Sequence, residues 1–366
     1  MAIAARPVPP ADIQSALDKI WESLKTTNTT RACLFNLILY TQKDSRILYV
    51  QRLAQRVVEK FPSRVIFVTA DKNSKEDSLK TEVSILTSSK GEFDVACDYI
   101  QMEASGASLE KIPFVILPHI LPDLPIYLLM AEDPSKEDPL FNQIEHFANR
   151  VIFDSEATEN LPLFAASVLE HQKKSKADIA DLNWARIDSW REMLTRVFYS
   201  ADRLKQIERV QKIDITYNSQ ETQFFCHTKI QAFYLQAWLA CQLGWKFQST
   251  RTQDKTFSLT YQTAAGPIEI TLTSVQHTNL PPGIVLSFDL HTSQNEHFAF
   301  QRNHEALHQI TFQYSTQTEC SLPYQYIFPR AEAGHSLVKE ITHRGTSQHF
   351  ARVLNLIKTM ETHFAC

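Results

Sequence analysis

Two hydrophobic periodicities alternate along the first half of the chain. Over residues 11–25, Ile13, Leu17, Ile20, Trp21 and Leu24 recur at helical spacing and predict an amphipathic helix. The next run, RACLFNLILY, is apolar almost without interruption, as expected of a strand buried on both faces. Asp44 or Ser45 then stands where it can cap a helix whose stripe is Ile47, Val50, Ala54, Val57 and Phe61. RVIFVTAD reads as a second buried strand, so strand, helix and strand form a βαβ unit. LKTEVSILTS and FDVACDYIQME follow as an antiparallel hairpin joined across Lys90-Gly91. Alternation then resumes with a helix from Ser108 to Leu117, a strand PIYLLMA, a helix PLFNQIEHFAN, a strand RVIFDS and a helix over Leu161 to Lys173. The pattern predicts an open α/β domain over residues 1–176, mostly parallel with one β-hairpin.

After the polar stretch EHQKKSKADIADLN the pattern changes. DLNWARIDSWREMLTRVFY predicts a helix, and a second carries Ile230, Phe233, Tyr234, Ala237, Trp238 and Cys241, stopped by Gly244. Period-two alternation takes over at Ile268, Ile270 and Leu272, then Ile284, Leu286, Phe288 and Leu290, then Ile310, Phe312 and Tyr314. A last helix shows Phe350, Val353, Leu354, Ile357, Met360 and Phe364. Residues 177–366 are therefore expected to form an α+β domain with an antiparallel sheet and a C-terminal helix.

The chain's 366 residues fit two cores better than one. At 43% hydrophobic and 21% charged the composition is that of a folded protein. A net charge of −4, with Lys and Arg scattered, lacks the basic footprint of a nucleic-acid binder. IPFVILPHILPDLPIYLLMA approaches the length of a membrane span, but Pro113, Pro118, Pro122 and Pro125 break it. No secretory signal is visible in MAIAARPVPPADIQ, which predicts a cytoplasmic protein with reduced thiols and an unmodified Asn28 sequon.

An open α/β sheet invites nucleotide binding, and glycine tests that idea. The chain has seven glycines, the closest pair being Gly334 and Gly345, so neither G-x-G-x-x-G nor a P-loop can be written. A dinucleotide cofactor is therefore not expected. G-x-S-x-G is also missing, and no cysteine stands in an activating signature. Asp123 and Asp154 sit where sheet ends meet loops, positions that suit either a functional carboxylate or a capping one. His304-Glu305-Ala306-Leu307-His308 has the spacing of a zinc hydrolase, which requires a helix to bring both imidazoles to one metal. The flanks HFAFQR and QITFQYS alternate at period two, so a strand or turn is expected there and no metal site. Glu332, in RAEAGH, is a downstream carboxylate considered as a third ligand, with nothing in its surroundings to mark it.

Trp184, Arg186, Trp190 and Arg191 are concentrated in DLNWARIDSWREML, the residue types that anchor protein interfaces. They suit either a partner surface or an interdomain joint. This segment, with LPDLPIYLL, RVIFDS and LQAWLACQLGW, resembles four ordered motifs of the glucose-6-phosphate dehydrogenase assembly proteins called OpcA. Ala185 stands where that family usually has Thr, and Leu128-Leu129 where it often has tryptophans. The resemblance implies a non-enzymatic protein that binds glucose-6-phosphate dehydrogenase, promotes its assembled or active state and so supports NADPH production by the oxidative pentose phosphate pathway. The alternatives are a zinc-dependent hydrolase and a sugar-phosphate or nucleotide sensor.

Overall fold

The computed structural model describes residues 5–25, 29–43, 46–90, 93–329 and 334–360. The chain forms two compact units, one from residues 1–157, 170–182 and 332–346, the other from residues 158–169, 183–331 and 347–366. This differs from a single cut after residue 176, because the segment around residue 180 adds a strand to the first unit and a late segment returns to it.

In the first unit the strands are β1 (Arg6–Pro7), β2 (Thr29–Arg31), β3 (Asn36–Gln42), β4 (Arg64–Asp71), β5 (Ser78–Lys90), β6 (Phe93–Ser105), β7 (Ile126–Met130), β8 (Arg150–Phe153) and β9 (Asp178–Asp181). Six of them lie parallel in the order β6-β4-β3-β7-β8-β9. Numbered among themselves these run 3-2-1-4-5-6, the order of a doubly wound, Rossmann-type sheet. β5 joins β6 as the expected antiparallel hairpin, whose turn at Gly91 lies outside the described residues. Continuous apolar sequence places β3 and β4 at the centre, where helices cover both faces of such a sheet.

The helices of this unit are α1 (Ile13–Leu24), α2 (Ile47–Lys60), α3 (Ile112–Ile116) and α4 (Pro139–Glu145). α5 (Leu161–Lys174) contributes residues to both units. α1 buries Ile13, Leu17 and Ile20, and α2 buries Val50, Leu53, Ala54, Val57 and Val58. The proposed caps Asp44 and Ser45 lie outside the described residues. The helix expected over 108–117 is instead a 3₁₀ turn, the short α3 and a second 3₁₀ turn, since Pro113 and Pro118 each remove a backbone donor. β9 was not anticipated, because its sequence, Asp-Ile-Ala-Asp, is hidden in a polar stretch.

The second unit holds α6 (Leu182–Arg186), α7 (Asp188–Val197), α8 (Ala201–Ile207), α9 (Ile230–Gln242) and α11 (Gln348–Lys358), while α10 (His335–Thr342) belongs to the first. Its strands are β10 (Val210–Asn218), β11 (Lys246–Gln253), β12 (Thr256–Thr263), β13 (Gly266–Val275), β14 (Val285–Thr292), β15 (His297–Arg302), β16 (Gln309–Ser315) and β17 (Tyr324–Ile327). They form one sheet in the order β11-β12-β13-β10-β14-β15-β16-β17. Pairing is antiparallel except between β10 and β13, where α9 and a hairpin carry the chain back in the same direction. The helix expected over DLNWARIDSWREML is split into α6 and α7 at Ile187. Gly244, at φ 67°, follows α9 in the left-handed conformation a helix end favours. Phe350, Val353, Leu354 and Ile357 face inward from α11, and Phe364 lies outside the described residues. Among the described residues no helix is long and apolar enough to cross a membrane.

Candidate functional site

Sheets of this order take ligands beyond the carboxyl ends of the strands, where the order reverses, which here lies between β3 and β7. The chain's own side chains occupy that place. Glu132, just past β7, accepts from the backbone N–H of Gln42 at 2.6 Å and from Thr41 Oγ1 at 3.0 Å. Beside it Arg46 Nη2 donates to Asp154 Oδ2 at 2.5 Å, and Nη1 reaches the Ala131 carbonyl at 3.4 Å. Asp154 is fully buried. Burial alone would lower the pKa of Arg46, but Asp154 and its neighbours Tyr49 and Glu156 hold it above the ordinary value.

The same edge continues in pairs. Tyr40 Oη and Lys72 Nζ both donate to Asp138 Oδ2, at 2.6 and 2.7 Å. Burial, then the Asp138 carboxylate, pushes the Tyr40 phenol far above its usual range. Asp71 ends β4, the position from which a carboxylate can hold a nucleotide ribose, and Lys43 lies 3.6 Å from it while bonding Glu103 at 2.6 Å. Asp181 closes the row by accepting Ser155 N–H at 2.8 Å and Ser155 Oγ at 3.1 Å. Each of these charged side chains bonds to a group of the protein among the described residues.

The amino edge is different. A cleft of about 370 Å³ opens there, lined by the charged Arg31, Arg64 and Asp98, by Cys33, and by the apolar Ile120 and Leu121. Asp98 Oδ2 accepts from Arg64 Nη2 at 2.5 Å, Arg64 Nε at 3.0 Å and Arg31 Nη2 at 2.7 Å, while Trp21 Nε1 reaches Oδ1 at 2.7 Å. Burial would raise the Asp98 pKa, but Arg64, Arg31 and Trp21 together bring it below the ordinary value. Arg64 Nη1 donates to the His119 carbonyl at 2.9 Å. The buried His119 imidazole has its pKa lowered by desolvation and then by Arg64. Cys33 Sγ accepts the Arg64 N–H at 3.1 Å, and burial raises its thiol pKa, which does not favour a nucleophilic thiolate. Asn36, fully buried, holds the rim by bonding Leu121 N–H at 2.8 Å and the Leu121 carbonyl at 3.0 Å.

The residues singled out by sequence fall in separate places. Asp154 lies in the closed carboxyl edge. Asp123 is exposed at φ 65° in the loop beyond Leu121. Trp184 and Trp190 are 3% and 2% exposed in the second unit. Trp184 meets Phe350 at 5.3 Å with the rings tilted by 33°, and Arg191 lies 3.6 Å over its ring while pairing with Asp188 at 2.8 Å. Trp190 meets Phe328 and Phe288 at 5.7 and 6.4 Å. Arg186 bonds Asn183 and covers Phe225. His304, Glu305 and His308 occupy the turn between β15 and β16, where Asn303 Oδ1 accepts the N–H of Glu305 at 2.9 Å and of Ala306 at 3.3 Å. That turn lacks the helical i, i+4 geometry of a zinc hydrolase. Among the described residues no three His, Cys, Asp or Glu side chains are grouped to hold a metal, and Glu332 lies outside them. Sequence reasoning missed Arg31, Arg46, Arg64, Asp98 and Glu132. The available signal was Arg64 and Asp98 lying in otherwise apolar strand patterns.

Residues 54–168 match the family described as glucose-6-phosphate dehydrogenase subunit N-terminal domain, and residues 177–354 the corresponding C-terminal domain. Among curated relatives, a Nostoc punctiforme protein carrying the name OxPP cycle protein OpcA is 25% identical over 57% of this chain and 44% of its own length. A Synechocystis protein of the same name is 29% identical over 41% of this chain and 30% of its own length. The chain thus aligns with less than half the length of these relatives. Among solved structures, one assigned as an NADPH-dependent oxidoreductase from Desulfitobacterium hafniense has a TM-score of 0.51 at 10% identity, over 88% of this chain and 92% of its own. The UDP-N-acetylglucosamine 3-dehydrogenase GnnA from Acidithiobacillus ferrooxidans has a TM-score of 0.50 at 8% identity, over 90% and 96%. At such identities these two likenesses concern the fold alone.

Proposed function

The chain belongs to the OpcA family of glucose-6-phosphate dehydrogenase assembly proteins, and from that premise we propose that it binds this dehydrogenase without catalysing a reaction itself. Binding that favours the assembled or active form shifts the dehydrogenase towards it by the difference in affinity between states. NADPH supply by the oxidative pentose phosphate pathway rises as a result.

The observation that carries the non-enzymatic part is Glu132 on the Gln42 N–H. In a doubly wound sheet, amides at this turn receive the cofactor's phosphates. Here the protein's own carboxylate is the anion, with the Arg46–Asp154 pair beside it. An oxidoreductase-like fold is thereby consistent with a protein that has no use for the dinucleotide.

Trp184, Trp190, Arg186 and Arg191 enter the proposal as a brace: the tryptophans pack inside the second unit and the arginines lie on aromatic rings, fixing the surface of α6 and α7. Asp123, exposed in its loop, is proposed as a direct contact. The test mixes the purified chain with the dehydrogenase of the same organism and follows sedimentation and substrate KM. A complex with a lowered KM is expected, and the partner reading fails if neither a complex nor a change in rate is found. Titration of the chain alone with NADP+ is expected to give no saturable binding; saturation together with hydride transfer would overturn the non-enzymatic part.

A further inference from the structure

The amino-edge cleft has a charge balance unlike any pair on the opposite edge. Its charged wall consists of Arg31, Arg64 and Asp98, two cations against one anion. Arg64 and Asp98 are each 4% exposed and bonded to one another, so that pair is internally complete. Arg31 is the surplus cation. It is 40% exposed, uses Nη2 on Asp98, and has no hydrogen-bond partner for Nε or Nη1 among the described residues. Its guanidinium also lies 5.1 Å over Trp21, which limits the positions the side chain can take. Ile120 and Leu121 add apolar surface to the lining, and Asn36 fixes the backbone at Leu121.

We infer that this cleft binds a small organic carboxylate, its single negative charge on Arg31 and its apolar body against Ile120 and Leu121. The volume of about 370 Å³ falls in the range of small-molecule sites. One carboxylate balances the one surplus charge, and a guanidinium with donors still free suits it geometrically. A phosphate dianion would leave an excess negative charge close to Asp98. A neutral body without the carboxylate would leave Arg31 as it is. Burial raises the Cys33 thiol pKa, so the cleft's cysteine is not primed as a nucleophile towards a bound carboxylate.

Benzoate, phenyl phosphate and benzyl alcohol serve as probes, titrated into the full chain by calorimetry and ligand-observed NMR. Benzoate is expected to saturate with a Kd on the order of 1 mM, and benzyl alcohol to bind at least about tenfold more weakly. R31Q should weaken benzoate about tenfold while the chain stays folded by circular dichroism, its melting temperature lowered by the loss of one donor to Asp98, and L121W, which fills the apolar side, should block it without touching a charge. Absence of benzoate binding, equal binding of benzyl alcohol, or an R31Q protein that binds normally overturns the site. Tighter binding of phenyl phosphate than of benzoate overturns the assignment to a single charge. None of these measurements includes the dehydrogenase, so this inference and the partner reading can fail separately.

Discussion

The two edges of the first sheet use similar residues to opposite ends. At the carboxyl edge Arg46 faces Asp154, Lys72 faces Asp138, Lys43 faces Glu103, and Glu132 sits on a backbone amide. At the amino edge Asp98 receives two arginines and a tryptophan, and Arg31 keeps donors to spare among the described residues. Strand order decides where a crevice can form. The side chains that the crossovers bring to that place decide whether it stays open.

Removing the anion from each edge gives the sharpest contrast. Asp98→Ala leaves Arg64 buried without its counter-charge and is expected to cost about 3–5 kcal/mol, read from urea unfolding. Asp154→Ala is expected to cost less, about 2–3 kcal/mol, because Arg46 is 11% exposed and can recruit water. A larger loss at Asp154 would reverse the ranking of the two edges. Glu132→Ala comes next, at about 1–2 kcal/mol, since it frees the Gln42 amide and the Thr41 hydroxyl. If that variant also gains NADP+ binding, Glu132 alone was the plug; if it does not, the missing glycines matter as well.

The smallest expected effect depends on pH. The folded pKa of His119 lies below its ordinary value of about 6.5, so the unfolded chain binds more protons in mild acid. Stability from the neutral imidazole is present above that value and declines as pH falls through it. His119→Gln should flatten the slope of stability between about pH 7 and 5. The Asp98 contribution has the same sign but is lost lower, as pH falls below about 3.9.

Periodicity made most helices and the buried strands legible, because β3 and β4 are apolar on both faces and α2 and α11 on one. The strand order was not legible, since pairing depends on crossovers that leave no local pattern. β9 escaped because its two aspartates obscure a four-residue strand, although Asp181 is buried and bonded to Ser155. The glycine count gave the expectation of no phosphate loop, but which side chains lie at that turn could not be read. Arg46 and Asp154 are 108 residues apart, as only the fold makes them neighbours. Arg31 and Asp98 are separated by 67 residues and meet through the parallel pairing of β2 with β6.

The segment that returns to the first unit has a consequence for synthesis. Arg150 bonds Glu340 at 2.6 Å and the Gly345 carbonyl at 2.9 Å, Gly345 N–H reaches Asp178 at 3.0 Å, and Thr346 Oγ1 receives the Ile179 N–H at 2.8 Å. Until those residues leave the ribosome, Arg150 has only Asp178, 3.9 Å away, in place of the closer Glu340, and the edge of β9 is uncovered. The first unit to begin emerging is therefore among the last parts of the chain to be finished, and a nascent chain stalled near residue 330 exposes a sheet edge that the completed protein covers.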